Sequence, residues 1–167
     1  MRIVVISLCL CLLSLLAWSN TSVPPPPPPP SPGASLAAMS LCDLNGKAHA
    51  MSEVKSKRVL VVFWAFWCDT WRAALPHLQE LQGRCAELDS TIWTVSIDGT
   101  YTAEVRPLVA DGKIPFPVLL DNGAWQSKLG LRRVPTVLLL DSKRTAVKIY
   151  EGYPGNDILI SELRQVK

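Results

Sequence analysis

Seven consecutive prolines, Pro24–Pro30, divide this chain into two parts that cannot share a helix or a strand. Proline has no backbone N–H and a fixed φ, so such a run joins neither a helix nor a ladder and takes up polyproline II. At ~3.1 Å per residue it makes a semi-rigid spacer of about 22 Å. What precedes it is short. Ile3 to Ala17 is almost wholly apolar behind a single Arg2, and Ala17-Trp18-Ser19 puts small residues where a signal peptidase reads. This pattern predicts a secretory signal over residues 1–19. The apolar stretch falls short of the ~20 residues a spanning helix wants. An uncleaved membrane anchor through residues 3–18 remains the alternative, because a spacer is most useful when its far end is held. Cys9 and Cys11 each follow a leucine, where lipid-modifying enzymes expect a small residue, so a lipoprotein is not expected. Residues 20–35 are then a Pro-rich linker, and 36–167 form one exported domain, in the periplasm or outside the cell.

The net charge of +3 comes from scattered lysines and arginines. No basic stripe carries interleaved aromatics, so no nucleic-acid partner is expected. Three of the five cysteines belong to the body, namely Cys42, Cys68 and Cys85. None sits in a CxxC, and with only His49 and His77 to help them no metal-ligand spacing exists. Neither a metal nor another cofactor is expected. An odd number of thiols leaves at least one free, and a Cys42–Cys85 disulfide stays open.

Along the body, Leu41 to Lys47 reads as a short strand closed by an Asn-Gly turn. Val59 to Ala65 (VLVVFWA) is a continuous apolar run, as in a parallel strand buried on both faces. Asp69 to Leu88 is helical in period, with Ala74, Leu78, Leu81, Cys85 and Leu88 on one face. Thr91–Ile97 is a strand ended by Asp98-Gly99, and Ala103–Ala110 a short helix interrupted by Pro107. Val118–Leu120 is a strand and Ala124–Leu129 a helix closed by Gly130. Val137–Leu140 and Ala146–Tyr150 form a hairpin across Asp141-Ser-Lys-Arg, and Asn156 or Asp157 caps a helix running to Val166. Strands alternating with helices and ending in a hairpin predict an α/β domain with a mixed sheet.

The segment Phe63-Trp-Ala-Phe-Trp-Cys-Asp-Thr-Trp-Arg-Ala-Ala-Leu-Pro-His-Leu resembles the active-site strand and helix of thioredoxins, in particular the exported TlpA/ResA branch. There the pattern is FWAxWCxxC, with a proline eight residues after the first cysteine, where this chain has Pro76. Arg133-Val-Pro-Thr looks like the loop that carries the family's cis-proline, which would be Pro135. Phe116-Pro-Val-Leu-Leu-Asp, Leu44-Asn-Gly-Lys and Gly152 fit the same branch. The resemblance spans nearly all of 41–167 and implies a thioredoxin-like fold, a central mixed sheet flanked by helices with an N-terminal β-hairpin. Two departures bear on function. Trp71 stands where the family has its second cysteine, and Val62 where many thioredoxins carry a buried acid that moves protons for that thiol.

Cys68 is the candidate catalytic residue. It opens a helix, where free N–H groups and the dipole favour a thiolate, while Asp69 opposes that charge. Cys85 lies at the far end of the helix, about 25 Å away at 1.5 Å per residue, and cannot resolve a Cys68 disulfide unless the helix breaks early, for example at Gly83. Trp67, Trp71, Val134 and Pro135 are the candidate substrate-binding residues, with Trp71 as either an aromatic platform or a filler for the missing cysteine's space. Trp64 reads as core and His77 as a surface residue; Arg132 and Arg133 beside the proline loop read as a solvated pair, the alternative being that they lower the thiol's pKa or hold an acidic ligand. Two functions compete. The first is monothiol thiol–disulfide exchange through Cys68, with protein thiols or disulfides as partners and release by a second thiol on the substrate or by a small thiol reductant. The second is a redox-inactive adaptor docking a partner on the Trp71–Pro135 surface. A thiol peroxidase is disfavoured, because Cys68 lacks a TxxC frame.

Overall fold

The structure, a computed structural model, describes residues 30–99, 102–111 and 114–166. The signal or anchor at residues 1–19 and the linker up to Pro29 lie outside these. Seven strands make one mixed sheet: β1 Ser40–Asp43, β2 Ala48–Ala50, β3 Arg58–Trp64, β4 Ser90–Ser96, β5 Val118–Leu120, β6 Thr136–Leu140 and β7 Ala146–Glu151, in the spatial order β2-β1-β5-β4-β3-β6-β7. Among the described residues four α-helices accompany them, α1 Asp69–Arg84, α2 Thr102–Ala110, α3 Ala124–Lys128 and α4 Asn156–Gln165, besides a single 3-10 turn at Met51–Glu53. This is the thioredoxin-like α/β architecture, with β1 and β2 as the N-terminal hairpin.

The strand at the centre explains the layering. β3 runs parallel to β4 and antiparallel to β6, and all its residues after Arg58 are buried. Successive side chains point to opposite faces. Leu60, Val62 and Trp64 therefore pack with α1 and α4 through Trp71, Leu78, Leu81, Leu159 and Leu163. Val59, Val61 and Phe63 pack beneath the N-terminal segment and the chain around α3, through Leu36, Met39, Met51, Leu129 and Leu131. Val62 is thus an ordinary core residue on the α1 face. The chain joins the domain at the entrance to β7, where Gly33 donates to the carbonyl of Ala146 and Ser35 bridges to Thr145.

Three details differ from expectation. The first helix stops at Arg84, not Leu88: Ser90 N–H takes the carbonyl of Cys85, and Asp89 turns with φ of 44° into β4. Pro107 does not break α2, which continues through it and forgoes the one bond that a proline cannot donate. Neither Asn156 nor Asp157 caps α4, whose N-cap is Gly155. The Asn156 amide instead donates to His77 O and to Glu80, and its oxygen accepts from Tyr153, clasping α4 to α1.

Candidate active site

β3 ends at Trp64, and after three intervening residues the chain turns into α1, with Cys68 as the helix N-cap. The turn is held from three directions. Cys68 N–H donates to Ala65 O at 3.1 Å, and Arg72 reaches back from α1 to donate to Phe66 O at 2.9 Å. From β4's end, Asp98 Oδ2 accepts the Phe66 N–H at 2.9 Å and the Ser96 hydroxyl at 2.7 Å. Asp98 is buried, and its Oδ1 has no hydrogen-bond partner. In the sequence Asp98-Gly99 marks only the end of a strand, and the anchoring role of the carboxylate emerges from the fold.

The opposing loop is fixed as firmly. The Val134–Pro135 peptide is cis. Thr136 Oγ1 donates to Arg133 O at 2.7 Å, and Gly152 N–H, at φ of 100° where a side chain would be strained, donates to Pro135 O at 2.7 Å. Val134's carbonyl is thereby presented to Cys68, whose Sγ–H donates to it at 3.3 Å. The thiol is 7% exposed. Sequence reasoning placed Cys68, Val134 and Pro135 together, and the fold brings them together.

The tryptophans separate. Trp67 is 60% exposed and shares a cleft of about 370 Å³ with Ile97, Gln126, Arg132, Arg133 and Val134. Trp71 is 1% exposed and stacks on Trp64, with centroids 4.6 Å apart and planes 17° from parallel. Its remaining edge borders a different groove, of about 470 Å³ between α1 and the α2 side, with Leu75, Pro76 and Leu108. The exposed indole beside Val134 is therefore that of Trp67, not Trp71. The other two cysteines are free as well, and no disulfide joins Cys42 to Cys85. Cys42 is exposed on β1. Cys85 is buried at the end of α1, where burial pushes its thiol up against a smaller opposite effect of Ser90. Among the described residues no group of His, Cys, Asp and Glu could hold a metal.

The sequence pattern of the AhpC/TSA family matches residues 32–152, more than half of the chain. The protein belongs to that family. Within this redoxin family its likeness runs to thioredoxin-like members. It is 28% identical over 122 residues to the thioredoxin-like protein YneN of Bacillus subtilis, covering 72% of this chain and 71% of that protein. It is 28% identical over 125 residues to the thiol-disulfide oxidoreductase ResA of Bacillus thuringiensis subsp. konkukian, covering 74% and 72%. Among solved structures, the pneumococcal exposed lipoprotein thioredoxin Etrx1 of Streptococcus pneumoniae superposes with a TM-score of 0.68 at 26% identity, over 77% of this chain and 98% of that one. Around Cys68 this chain carries Ala65 three residues before and Trp71 three residues after.

Proposed function

We propose that this protein is an exported monothiol thiol–disulfide exchange protein acting through Cys68. The observation that carries the reading is the placement of Sγ. It lies at the start of α1, 3.3 Å from the carbonyl that precedes cis-Pro135, with an open cleft alongside. A sulfur at a helix N-terminus, in reach of an extended partner segment, suits attack on a disulfide. In that step the Cys68 thiolate forms a bond to one substrate sulfur, and the electron pair of the broken S–S bond leaves on the other. Trp71 cannot supply the second thiol, and Cys85 sits at the other end of a 16-residue helix, so release needs a thiol from outside. Trp67 and Val134 form the contact surface, with Pro135 buried next to Val134 and Trp71 in the core stacked on Trp64.

The partners are then protein thiols or disulfides beyond the cytoplasm. Export is supported by the leader at residues 1–19 and the linker at 20–35 ahead of the domain at 36–167, and by relatives such as Etrx1 whose name describes an exposed lipoprotein. Among the described residues no helix is long and apolar enough to cross a membrane, and the apolar residues 3–18 are the proposed anchor where the leader stays uncut.

One observation favours a second reading, a redox-inactive adaptor. Cys68 is buried and donates its S–H, while Trp71 fills the core where turnover would need a cysteine. Reduction of a mixed-disulfide reporter peptide by a small thiol separates the two. Exchange catalysed by the wild type and lost in Cys68→Ser supports the monothiol reading. Equal rates in both leave the adaptor, whose docking face is then the rim of Trp67 and Val134.

A further inference from the structure

A monothiol cycle consumes a thiol from outside, and the ground beside Cys68 indicates which kind. The cleft of about 370 Å³ is walled by Trp67, Ile97 and Val134 and rimmed by Gln126, Arg132 and Arg133. Val134 links it to the chemistry, because the same residue's carbonyl lies 3.3 Å from Sγ. Among the described residues that line it two are arginines and none is acidic, and Arg132 already makes a contact of its own. Glu151 stands 3.9 Å from Arg133 Nε, but Arg133 is 77% exposed there, and a long exposed pair neutralises little. Guanidinium groups match carboxylates geometrically and can bind them through two parallel bonds. The volume is near the lower end of small-molecule sites, ~300–1,000 Å³, which suits a compact ligand better than a folded partner.

We infer that the releasing thiol is a small carboxylate-bearing thiol, held by Arg132 and Arg133 with its aliphatic part against Trp67 and Ile97. This rests on the proposed exchange reaction. In the step, the acidic thiolate attacks Sγ of the Cys68 mixed disulfide. A bond forms between Sγ and the incoming sulfur, the bond from Sγ to the substrate breaks, and the electron pair leaves on the substrate's sulfur, which takes a proton from solvent. A second molecule of the same thiol attacks the sulfur now attached to Sγ, returning Cys68 as thiolate and leaving as the symmetrical disulfide. Two thiols are oxidised for each substrate disulfide reduced. The opposite selectivity has its own structural basis. Across Trp67 lies a cleft of about 290 Å³ lined by Phe66, Ile97 and Asp98, and there a cationic thiol would be preferred.

The test uses the full chain carrying Cys9→Ser, Cys11→Ser and Cys42→Ser, with Cys68→Ser added as the blank. Cys68 is loaded as its thionitrobenzoate mixed disulfide, and release by 3-mercaptopropionate, 2-mercaptoethanol and cysteamine is timed. Each rate is divided by that thiol's rate on the thionitrobenzoate disulfide of 2-mercaptoethanol, which removes intrinsic nucleophilicity. The expected result is a preference of about fivefold for the carboxylate over the neutral thiol, from two exposed charge contacts. It should shrink in 0.5 M KCl and disappear in Arg132→Gln/Arg133→Gln. A flat series, a preference for cysteamine, or a carboxylate preference that survives the double substitution overturns the inference and leaves monothiol exchange standing. Failure of Cys68 to take up the label at all overturns both.

Discussion

Trp71 stands three residues after Cys68, and its packing makes a quantitative demand. The side chain is 1% exposed, stacked on Trp64 at 4.6 Å, and set in the same core cluster as Leu78, Ile114 and Leu159. Truncation to alanine removes a buried indole from a packed interior, which costs about 3–5 kcal/mol including the cavity left behind. Of this, about 0.5–1.5 kcal/mol belongs to the ring pair. Trp71→Phe keeps an aromatic ring against Trp64 and loses only part of the volume, so about 1–2 kcal/mol is expected. In urea unfolding, with m near ~2 kcal/mol/M, the alanine midpoint should fall by about 2 M and the phenylalanine midpoint by less than about 1 M, with m unchanged. The near-ultraviolet circular dichroism of the coupled indoles should vanish in both variants. A midpoint loss below ~0.5 M for Trp71→Ala, or equal losses for the two variants, would refute the view that this residue is built into the core. Trp71 would then have to be a surface platform.

Asp98 should act on the same site from below. Asp98→Ala strands the Phe66 N–H and the Ser96 hydroxyl, at a cost of about 2–4 kcal/mol in unfolding experiments, whereas Asp98→Asn keeps an accepting oxygen and should lose less than about 1 kcal/mol. Equal losses would mean that the hydrogen bonds are not what matters there. The N-terminal hairpin should respond to acid, since the His49 hydrogen bond holds the Asp43 carboxyl below its ordinary 3.8, with Asn45 and Lys47 N–H groups adding to it and burial opposing. A depressed carboxyl contributes stability above that ordinary value and loses it as pH falls through the lower folded one. Amide exchange in β1 and β2, corrected for intrinsic rates, should therefore speed up below about pH 4 in the wild type. In Asp43→Asn that step should be absent.

The order and type of the elements were legible because the signals were long or chemically sharp. β3 is an uninterrupted apolar run, α1 repeats its buried residues at helical spacing, and Asp141 to Arg144 is turn chemistry between two apolar strands. In that turn Asp141 Oδ1 does accept the N–H groups of Lys143 and Thr145. The meeting of Cys68 with Val134 and Pro135, 66 residues further along the chain, was legible only through the likeness to thioredoxins. No local pattern encodes a contact at that separation. The direction of Trp71 was not legible either. At i and i+3 both Cys68 and Trp71 lie on one side of a helix, but whether that side meets solvent or Trp64 depends on how α1 sits on the sheet. Asp98 was missed for a related reason. Its value lies in the Phe66 N–H it accepts, and a backbone donor leaves no trace in a sequence. The ends of α1 and α4 shifted because the local choices there, Asp89 at positive φ and Asn156 turned toward His77, serve tertiary contacts rather than caps.

The central claim is that Cys68 exchanges with disulfides despite its shielded sulfur. The most direct measurement incubates the native full chain with a disulfide-bonded model peptide, quenches with acid, and maps the peptide's mass onto each cysteine. Cys42, being exposed, reports that the reagent works, and Cys85, buried with its thiol pushed up, reports that the fold is intact. The account predicts an adduct on Cys68 that a small thiol removes, with Cys85 unmodified. An adduct on Cys42 alone, with Cys68 recovered as free thiol, would contradict it and leave this protein a thioredoxin-like scaffold without the chemistry.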